Sequence, residues 1–230
     1  MSLDFSFLAE YYPLYITGTK NTILLAIFAV LIGVVLGTLL ALMKMSKNIV
    51  FKGIAVSYIE FIRGTPLLIQ LFIFYYAVLP ALGITELNKI IGKTMFGDDF
   101  VGFLACVIAL SLNSAAYVAE IIRAGIESID KGQMEAARSL GMNKVQAMRY
   151  VVLPQAIKNI LPALGNEFIV VIKESAIVYV IGIVDIMSSA NKIIANTYNS
   201  FGPLIIAALI YFVLTFSLSK GLSVLERRLK

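Results

Sequence analysis

The sequence predicts an all-α membrane protein with five transmembrane helices. Hydrophobic residues make up 60% of the chain and charged residues only 14%, whereas about a quarter of the residues in an ordinary soluble domain are charged. This excess of apolar surface must face lipid, because a soluble core of this chain length does not need it. Four long runs contain no charged residue, and each is long enough to cross a bilayer core. These runs are residues 21–43, 64–85, 100–119 and 193–219.

A further apolar segment supplies the fifth predicted span. It contains Glu167, Lys173, Glu174 and Asp185, so we expect its polar face to turn inward. The runs are too uniformly apolar for porin strands, which alternate and need only about ten residues. Within one transmembrane domain of residues 1–230, the predicted spans are approximately 20–44, 55–82, 100–123, 164–189 and 202–224.

Basic residues predict the orientation of the chain. Residues 1–19 contain no Lys or Arg, so they lack the basic region of a cleaved signal peptide. The aromatic stretch 3–16 instead predicts a helix at the membrane interface. Lys and Arg concentrate after the first span, between the third and fourth spans and at the C-terminus. By the positive-inside rule, the N-terminus lies outside and the C-terminus lies in the cytoplasm.

The residue inventory excludes several kinds of site. The sequence has no His, and its one Cys is Cys106, which excludes imidazole ligands, a Ser-His-Asp triad, an intrachain disulfide and a thiolate zinc site. An intramembrane enzyme would need a nucleophile with its base or paired carboxylates at one depth. Glu120 and Asp185 are predicted at opposite sides. In a membrane protein the net charge of +5 reflects the orientation of the chain, so it does not indicate a nucleic-acid partner. We also expect no metal site.

Segment 127–162 predicts two short cytoplasmic helices joined by a glycine elbow. Asp130 and Gln133 form a capping-box-like start, and Gly141 is a natural stop in the left-handed conformation. Ala137 would share a face with Gly141 if the first helix extended that far. Small residues on that face would let another backbone come close.

A second helix is predicted after the elbow. Asn143 followed by Gln146 repeats the start signal, and the helix is expected to end at Leu153, because the residue before Pro154 is pushed out of the α region. From the pattern alone, the whole segment is either a loop that packs on its own spans or a docking element for another protein.

A run of residues in this segment matches a known loop. Glu135, Ala136 and Ala137 are followed by Gly141 and by the run 151–154. The pattern resembles the EAA loop in the membrane subunits of bacterial ABC importers, where Ile usually stands in place of Val151. Other segments, in order, resemble the polar amino-acid permeases of that class. They are Tyr12-Pro13, Gly18-Thr19 with Thr22, and residues 60–68, 116–121 and 129–133.

The resemblance implies a type I ABC importer permease in the bacterial cytoplasmic membrane. In that family the EAA helix docks in a groove on a separate cytoplasmic ATPase, which holds ATP and magnesium. The chain itself would bind no cofactor and would not be an enzyme. The other implied partners are a second permease copy, expected to be identical although a heterodimer is the alternative, and an extracytoplasmic binding protein. The residues implied in ATPase docking are Glu135, Ala136, Ala137, Arg138 and Gly141.

Small residues mark two special places in the predicted helices, a possible break and a packing face. Gly64 and Thr65 precede Pro66, where a broken helix would expose backbone groups to a substrate, although a proline near a helix start is also well tolerated. Gly33 and Gly37 form a small-residue face that is typical of close helix packing.

Polar side chains at membrane depth complete the predicted substrate path. Asn113, Tyr117 and Glu120 share one face of the third span. In the alternative interpretation, Asn113 bonds a neighbouring helix and Glu120 pairs with Arg123. Asp185 stands among apolar neighbours, where it either attracts a cation or is simply solvated near an interface.

The two acidic residues of this path favour a cationic substrate. Glu120 and Asp185 would attract arginine, lysine or histidine in a partly desolvated path, so we expect a basic amino acid. The alternative is glutamine or another neutral polar amino acid, because the family motifs do not fix the substrate. A stand-alone channel or carrier is a further class. The EAA-like loop and the lack of a recognisable inverted repeat argue against it.

Overall fold

The computed structural model describes residues 5–91 and 99–229, and within these residues the chain is helical and has no β-strand. The first residues of the predicted interfacial stretch, 3–4, lie outside this part. Three long helices, α1, α6 and α11, are apolar enough to cross a membrane, and α2 with the segment from α3 to α4 passes the same test as a bent pair. The helices are α1 (Leu8–Lys44), α2 (Ile49–Gly64), α3 (Leu67–Phe72), α4 (Leu79–Ala81), α5 (Leu87–Ile91), α6 (Phe100–Glu127), α7 (Lys131–Ser139), α8 (Lys144–Ala147), α9 (Leu153–Glu174), α10 (Ile186–Thr197) and α11 (Phe201–Leu229).

Helix α1 is longer than predicted. It begins at Leu8 and passes through Pro13, so the interfacial stretch is continuous with the first span. Pro13 removes one backbone hydrogen bond near the start of the helix. The Tyr15 hydroxyl donates to the Pro203 carbonyl at 2.7 Å and ties this end of α1 to the start of α11.

The glycines of α1 pack directly against α6. Gly33 lies against Ser114, and a Cβ on Gly37 would come within 2.7 Å of the Val118 Cβ and 2.8 Å of the Ala115 carbonyl oxygen. Only residues without a side chain let the two backbones approach this closely. The predicted close packing is confirmed, and its partner is another helix of the same chain.

The predicted second span is broken rather than continuous. Helix α2 ends at Gly64, Thr65 is extended with φ −119° and ψ 144°, and Pro66 begins α3 as its N-cap residue. The axes on the two sides of this break are bent by 106°. Of the two interpretations of Pro66, the broken helix is correct, because a proline disfavours the helical conformation at the residue before it.

The predicted fourth span, 164–189, is not one helix. Helix α9 ends at Glu174, and a 3₁₀ turn over Ser175–Ile181 leads to Gly182 in the left-handed conformation at φ +82°. Asp185 then caps α10. Two local signals in this apolar segment break the predicted span. Gly182 reverses the direction of the chain, and Asp185 begins the next helix.

The predicted end of the second cytoplasmic helix at Leu153 is wrong. Helix α8 continues through a π-helical turn, Met148–Val152, into α9, so the chain stays helical from α8 to α9. Pro154 lies in the first turn of α9, after the wider π turn, where its missing N–H breaks no regular α-helical bond.

One end of the bundle collects several basic residues. Lys44, at the end of α1, contacts Glu120 of α6. The end of α11 lies at the same level, because Glu226 lines a cavity of about 460 Å³ together with Ile129 and Lys158. This end includes Lys44, Arg123 and Lys158, and we call it the basic end of the bundle.

The close approach of α1 and α6 predicts a specific stability loss. Gly37→Ala should destabilise the protein by about 1–3 kcal/mol, because the new methyl group overlaps Val118. The measurement is the melting temperature of the detergent-solubilised protein. Gly53→Ala is the matched control, since nothing lies within 4 Å of that position and alanine favours a helix by up to about 1 kcal/mol. An equal effect of both changes would contradict the packing argument.

Candidate docking and translocation sites

The elbow between α7 and α8 has most of the predicted local structure, but the Gln133 side chain does not complete a capping box with Asp130, and its Oε1 accepts a hydrogen bond from the Gln155 Nε2 at 3.3 Å. The Asp130 carboxylate accepts a hydrogen bond from the Gly132 N–H at 2.7 Å, and Gly141 is left-handed at φ +88°. Asn143 and Gln146 form a reciprocal capping box. Because both helices are capped by their own side chains, the elbow is a rigid unit.

The predicted docking residues are distributed over two faces of α7. Glu135, Ala136, Arg138 and Gly141 are exposed, whereas Ala137 is buried against its own chain. Helix α7 also ends before Gly141, so Ala137 and Gly141 do not share a helical face. The exposed face is therefore the one that another protein can reach.

Two apolar residues beside the elbow were missed by the sequence analysis. Leu140 is 83% exposed and Val145 is 75% exposed. They flank a shallow hollow of about 460 Å³ that is lined by Glu135, Arg138 and Gly141, among others. Large apolar side chains on a rigid, exposed element are typical of a protein interface. Their position next to the elbow glycine is the signal that identifies them.

A buried amide holds the break between α2 and α3. The Gln70 Nε2 donates to the Ile62 carbonyl at 2.8 Å and to the Thr65 carbonyl at 3.1 Å. The Asn113 Nδ2 donates to the Gln70 Oε1 at 3.3 Å. Carbonyls freed by the break are thus bonded without water, and α6 is tied to the break. Asn113 therefore makes the bond to a neighbouring helix that was its alternative interpretation.

Gln70 was missed by the sequence analysis. It is the one hydrogen-bonding side chain in the apolar stretch 67–74. A lone polar side chain close to a helix break is a usable signal, because the break leaves backbone groups that need partners.

Glu120 is neutralised at the basic end. Its carboxylate contacts the Lys44 Nζ at 2.5 Å and the Arg123 Nη2 at 2.9 Å, and Arg123 also pairs with Glu127. The predicted pairing with Arg123 is confirmed, and Lys44 adds a link from α6 to α1. Three groups of α6 and one of α1 therefore form a charge network that closes this end of the helix pair.

Tyr117 lies one turn away from this network. The Arg63 guanidinium sits over its ring, 5.3 Å from the ring centroid. This cation–π contact joins the last turn of α2 to α6.

Asp185 serves as a helix cap. It is fully buried, and its carboxylate accepts hydrogen bonds from the Ser188 N–H at 2.7 Å and the Tyr211 hydroxyl at 3.4 Å. Its backbone carbonyl lies against Gly18 of α1. The residue therefore joins three helices, α1, α10 and α11, away from the basic end.

The structure brings together only some of the predicted path residues. Thr65 and Asn113 meet through Gln70, while Glu120 and Asp185 lie in separate clusters with protein partners of their own. Assignment of all of them to a substrate path stays a prediction.

Comparisons with known proteins agree with this architecture. Residues 33–230 match the family model described as binding-protein-dependent transport system inner membrane component. The arginine transport system permease protein of Bacillus subtilis is 46% identical over 230 residues, which cover 100% of this chain and 99% of the relative. A protein named as a glutamine transport system permease in Rickettsia bellii is 42% identical over 228 residues, 98% of each chain.

A solved structure is also similar over its full length. It is described as the crystal structure of an amino acid ABC transporter with histidines, and its chain is 54% identical to this one. The match has a TM-score of 0.88 and covers 99% of this chain and 100% of that chain. The resemblance found in the EAA-like loop and the other motifs is thereby confirmed. The chain belongs to the family of binding-protein-dependent transport system inner membrane components, and it has the fold of a type I ABC importer permease.

Proposed function

We propose that this chain forms the translocation path of an ATP-driven importer for a basic amino acid, together with a second permease copy that is identical to it. The observation that carries the proposal is the rigid elbow between α7 and α8, which is exposed and joined to two long helices. A separate ATPase docks on this elbow, binds ATP and magnesium, and moves the elbow as its own subunits close and open.

Both flanks of the elbow support this coupling. On one side, α8 runs without interruption into α9. On the other side, α6 reaches α7 through a short turn, in which the Ser128 hydroxyl accepts a hydrogen bond from the Asn159 Nδ2 of α9 at 2.9 Å. A push on the elbow therefore moves α6 and α9 as a rigid body.

The proposed orientation follows from the basic end. The positive-inside rule assigns this end to the cytoplasm, and the elbow follows directly from the last turn of α6 there. The proposal counts five crossings, namely α1, the bent pair of α2 with the segment from α3 to α4, α6, α9 and α11. It assigns the N-terminus to the outside, where an extracytoplasmic binding protein delivers the substrate.

The basic substrate is supported by two of the similar proteins. One relative is named for arginine, and the solved structure described above is of an amino acid ABC transporter with histidines. The acidic residues give weaker support for a basic substrate, since Glu120 already pairs with Lys44 and Arg123. Glutamine is the second candidate, because another relative is named for it and a path with neutralised acids does not require a cation.

The elbow can be tested by weakening its exposed apolar surface. Leu140→Asp should reduce binding of the cognate ATPase about tenfold or more, because it places a charge in the centre of an apolar contact. The measurement is the ATPase retained by the tagged permease after both are expressed together. Tyr198→Asp, which alters an exposed residue of the turn between α10 and α11, is the control and should retain the ATPase. Full retention by Leu140→Asp would exclude the elbow as the docking site.

The substrate class can be tested with the reconstituted complex. ATP hydrolysis in proteoliposomes with the ATPase and the binding protein should be stimulated by arginine, lysine or histidine. Stimulation by glutamine without stimulation by arginine would reject the basic substrate and favour the second candidate.

The role of Glu120 is separable in the same assay. If Glu120 contacts a cationic side chain, Glu120→Gln should raise the KM for arginine and leave the KM of any neutral substrate unchanged. Equal losses for all substrates would show that its ion pairs with Lys44 and Arg123 are purely structural.

A further inference from the structure

A cavity at the basic end contains three cationic side chains. It has a volume of about 420 Å³ and lies between the turn that joins α1 to α2 and the last turn of α6. Its lining residues are Lys44, Met45, Ser46, Lys52, Arg123 and Glu127. All of them belong to α1, to the α1–α2 turn, to α2 or to α6, so the cavity is separate from the elbow between α7 and α8.

The cations of this cavity outnumber the carboxylates that contact them. Glu120 pairs with Lys44 and Arg123, and Glu127 pairs with Arg123. Lys52 is exposed and supplies the third cation. Three positive charges therefore face two negative ones, and the cluster keeps a net charge of +1. The Glu127 side chain is 58% exposed, so water screens its charge.

A hydroxyl group lies beside these cations. The Ser46 Oγ accepts a hydrogen bond from the Asn48 N–H at 3.1 Å, which orients the hydroxyl and leaves its proton able to donate. Ammonium, guanidinium and hydroxyl groups are donors that bind the oxygens of a phosphate. The cavity therefore offers the charge and the donors that a phosphate group requires.

The surface next to the cavity is apolar. Met45 lines the cavity itself, and α2 begins with the exposed side chains of Ile49, Val50 and Phe51. Ile49 is 83% exposed and lies three residues before Lys52, on the same side of the helix. Because α2 follows the end of α1 and belongs to the bent pair that is apolar enough to cross a membrane, its first turn lies where headgroups meet acyl chains.

We propose that this cavity binds the headgroup phosphate of an anionic phospholipid, whose acyl chains lie along the exposed start of α2. Basic pockets between helices at a membrane surface suit anionic headgroups. The acyl chains cover apolar side chains that free phosphate would leave in water. The bound lipid joins the α1–α2 turn to the end of α6, so it stabilises the helix pair that Lys44 and Glu120 already connect. The site depends neither on the transported substrate nor on the ATPase.

Tryptophan fluorescence tests the lipid preference, because the chain contains no tryptophan. Ile49→Trp places a single reporter beside Lys52. In phosphatidylcholine bilayers, brominated phosphatidylglycerol should quench this reporter more than an equal fraction of brominated phosphatidylcholine does. The expected preference is about fivefold in relative binding constant, the factor for one basic side chain at a lipid surface. Phe212→Trp on the exposed face of α11 is the control, and both lipids should quench it equally. Equal quenching of Ile49→Trp by the two lipids would overturn the proposal.

Two charge variants separate a specific site from general attraction. Lys52→Gln, added to Ile49→Trp, should reduce the preference to that of the Phe212→Trp control. Lys47→Gln removes the same charge from an exposed residue of the same turn that lies outside the cavity lining, and it should keep the preference. Equal losses in the two variants would reject the site, because the lipid would then respond only to the total charge of this surface.

Free phosphate and protein are the other occupants that the same samples distinguish. Glycerol 3-phosphate carries the phosphate without acyl chains, so an excess of it should leave quenching by brominated phosphatidylglycerol unchanged. Loss of quenching would show that phosphate alone fills the cavity. If no lipid quenched Ile49→Trp while Phe212→Trp was quenched, protein would cover the start of α2, and the lipid site would be excluded.

The chain without a tryptophan provides an independent measurement. Phosphatidylglycerol added to the detergent-solubilised protein should raise its melting temperature more than phosphatidylcholine does, because a ligand that binds the folded state stabilises it. Lys52→Gln should remove this difference, and Lys47→Gln should retain it. The same melting temperature with both lipids would contradict the proposed site.

Discussion

The close approach of α1 and α6 is the constraint on which the rest of the bundle depends. Gly33 and Gly37 bring the two backbones together, and this contact fixes the rotation of α6 about its axis. The remaining faces of α6 then present Asn113 to the break between α2 and α3 and Ser114 to α9. A larger residue in α1 would move α6 and disturb both contacts, because packed helices shift as rigid units.

Nearly all of the buried side-chain oxygen and nitrogen atoms within residues 5–91 and 99–229 have hydrogen-bond partners. Gln70 bonds the carbonyls freed at the break, and Asp185 caps α10 and contacts Tyr211. Among the described residues, the Ser111 hydroxyl oxygen is the one buried side-chain oxygen or nitrogen without a partner. A fixed network of this kind rigidifies the two ends of the bundle.

In the proposed function, the elbow receives its motion from a separate ATPase. Its two helices are capped internally, and the chain is helical from α8 to the end of α9. Movement of the elbow is therefore carried to Glu167, which is bonded to Ser114 in the middle of α6. A flexible linker in place of the π turn would absorb the same movement, so the continuity of this helix is what gives the elbow its mechanical role.

The sequence by itself determined the membrane class, the close packing at Gly33 and Gly37, the helix caps at Asp130 and Asn143, and the family resemblance. Each of these depends on composition or on residues close together in the chain. The tertiary structure alone decided that α8 joins α9, that Gln70 holds the break, and that Lys44 joins Arg123 around Glu120. The physical reason is that a polar group in an apolar bundle takes the partner that packing brings near it, and that partner is often distant in sequence.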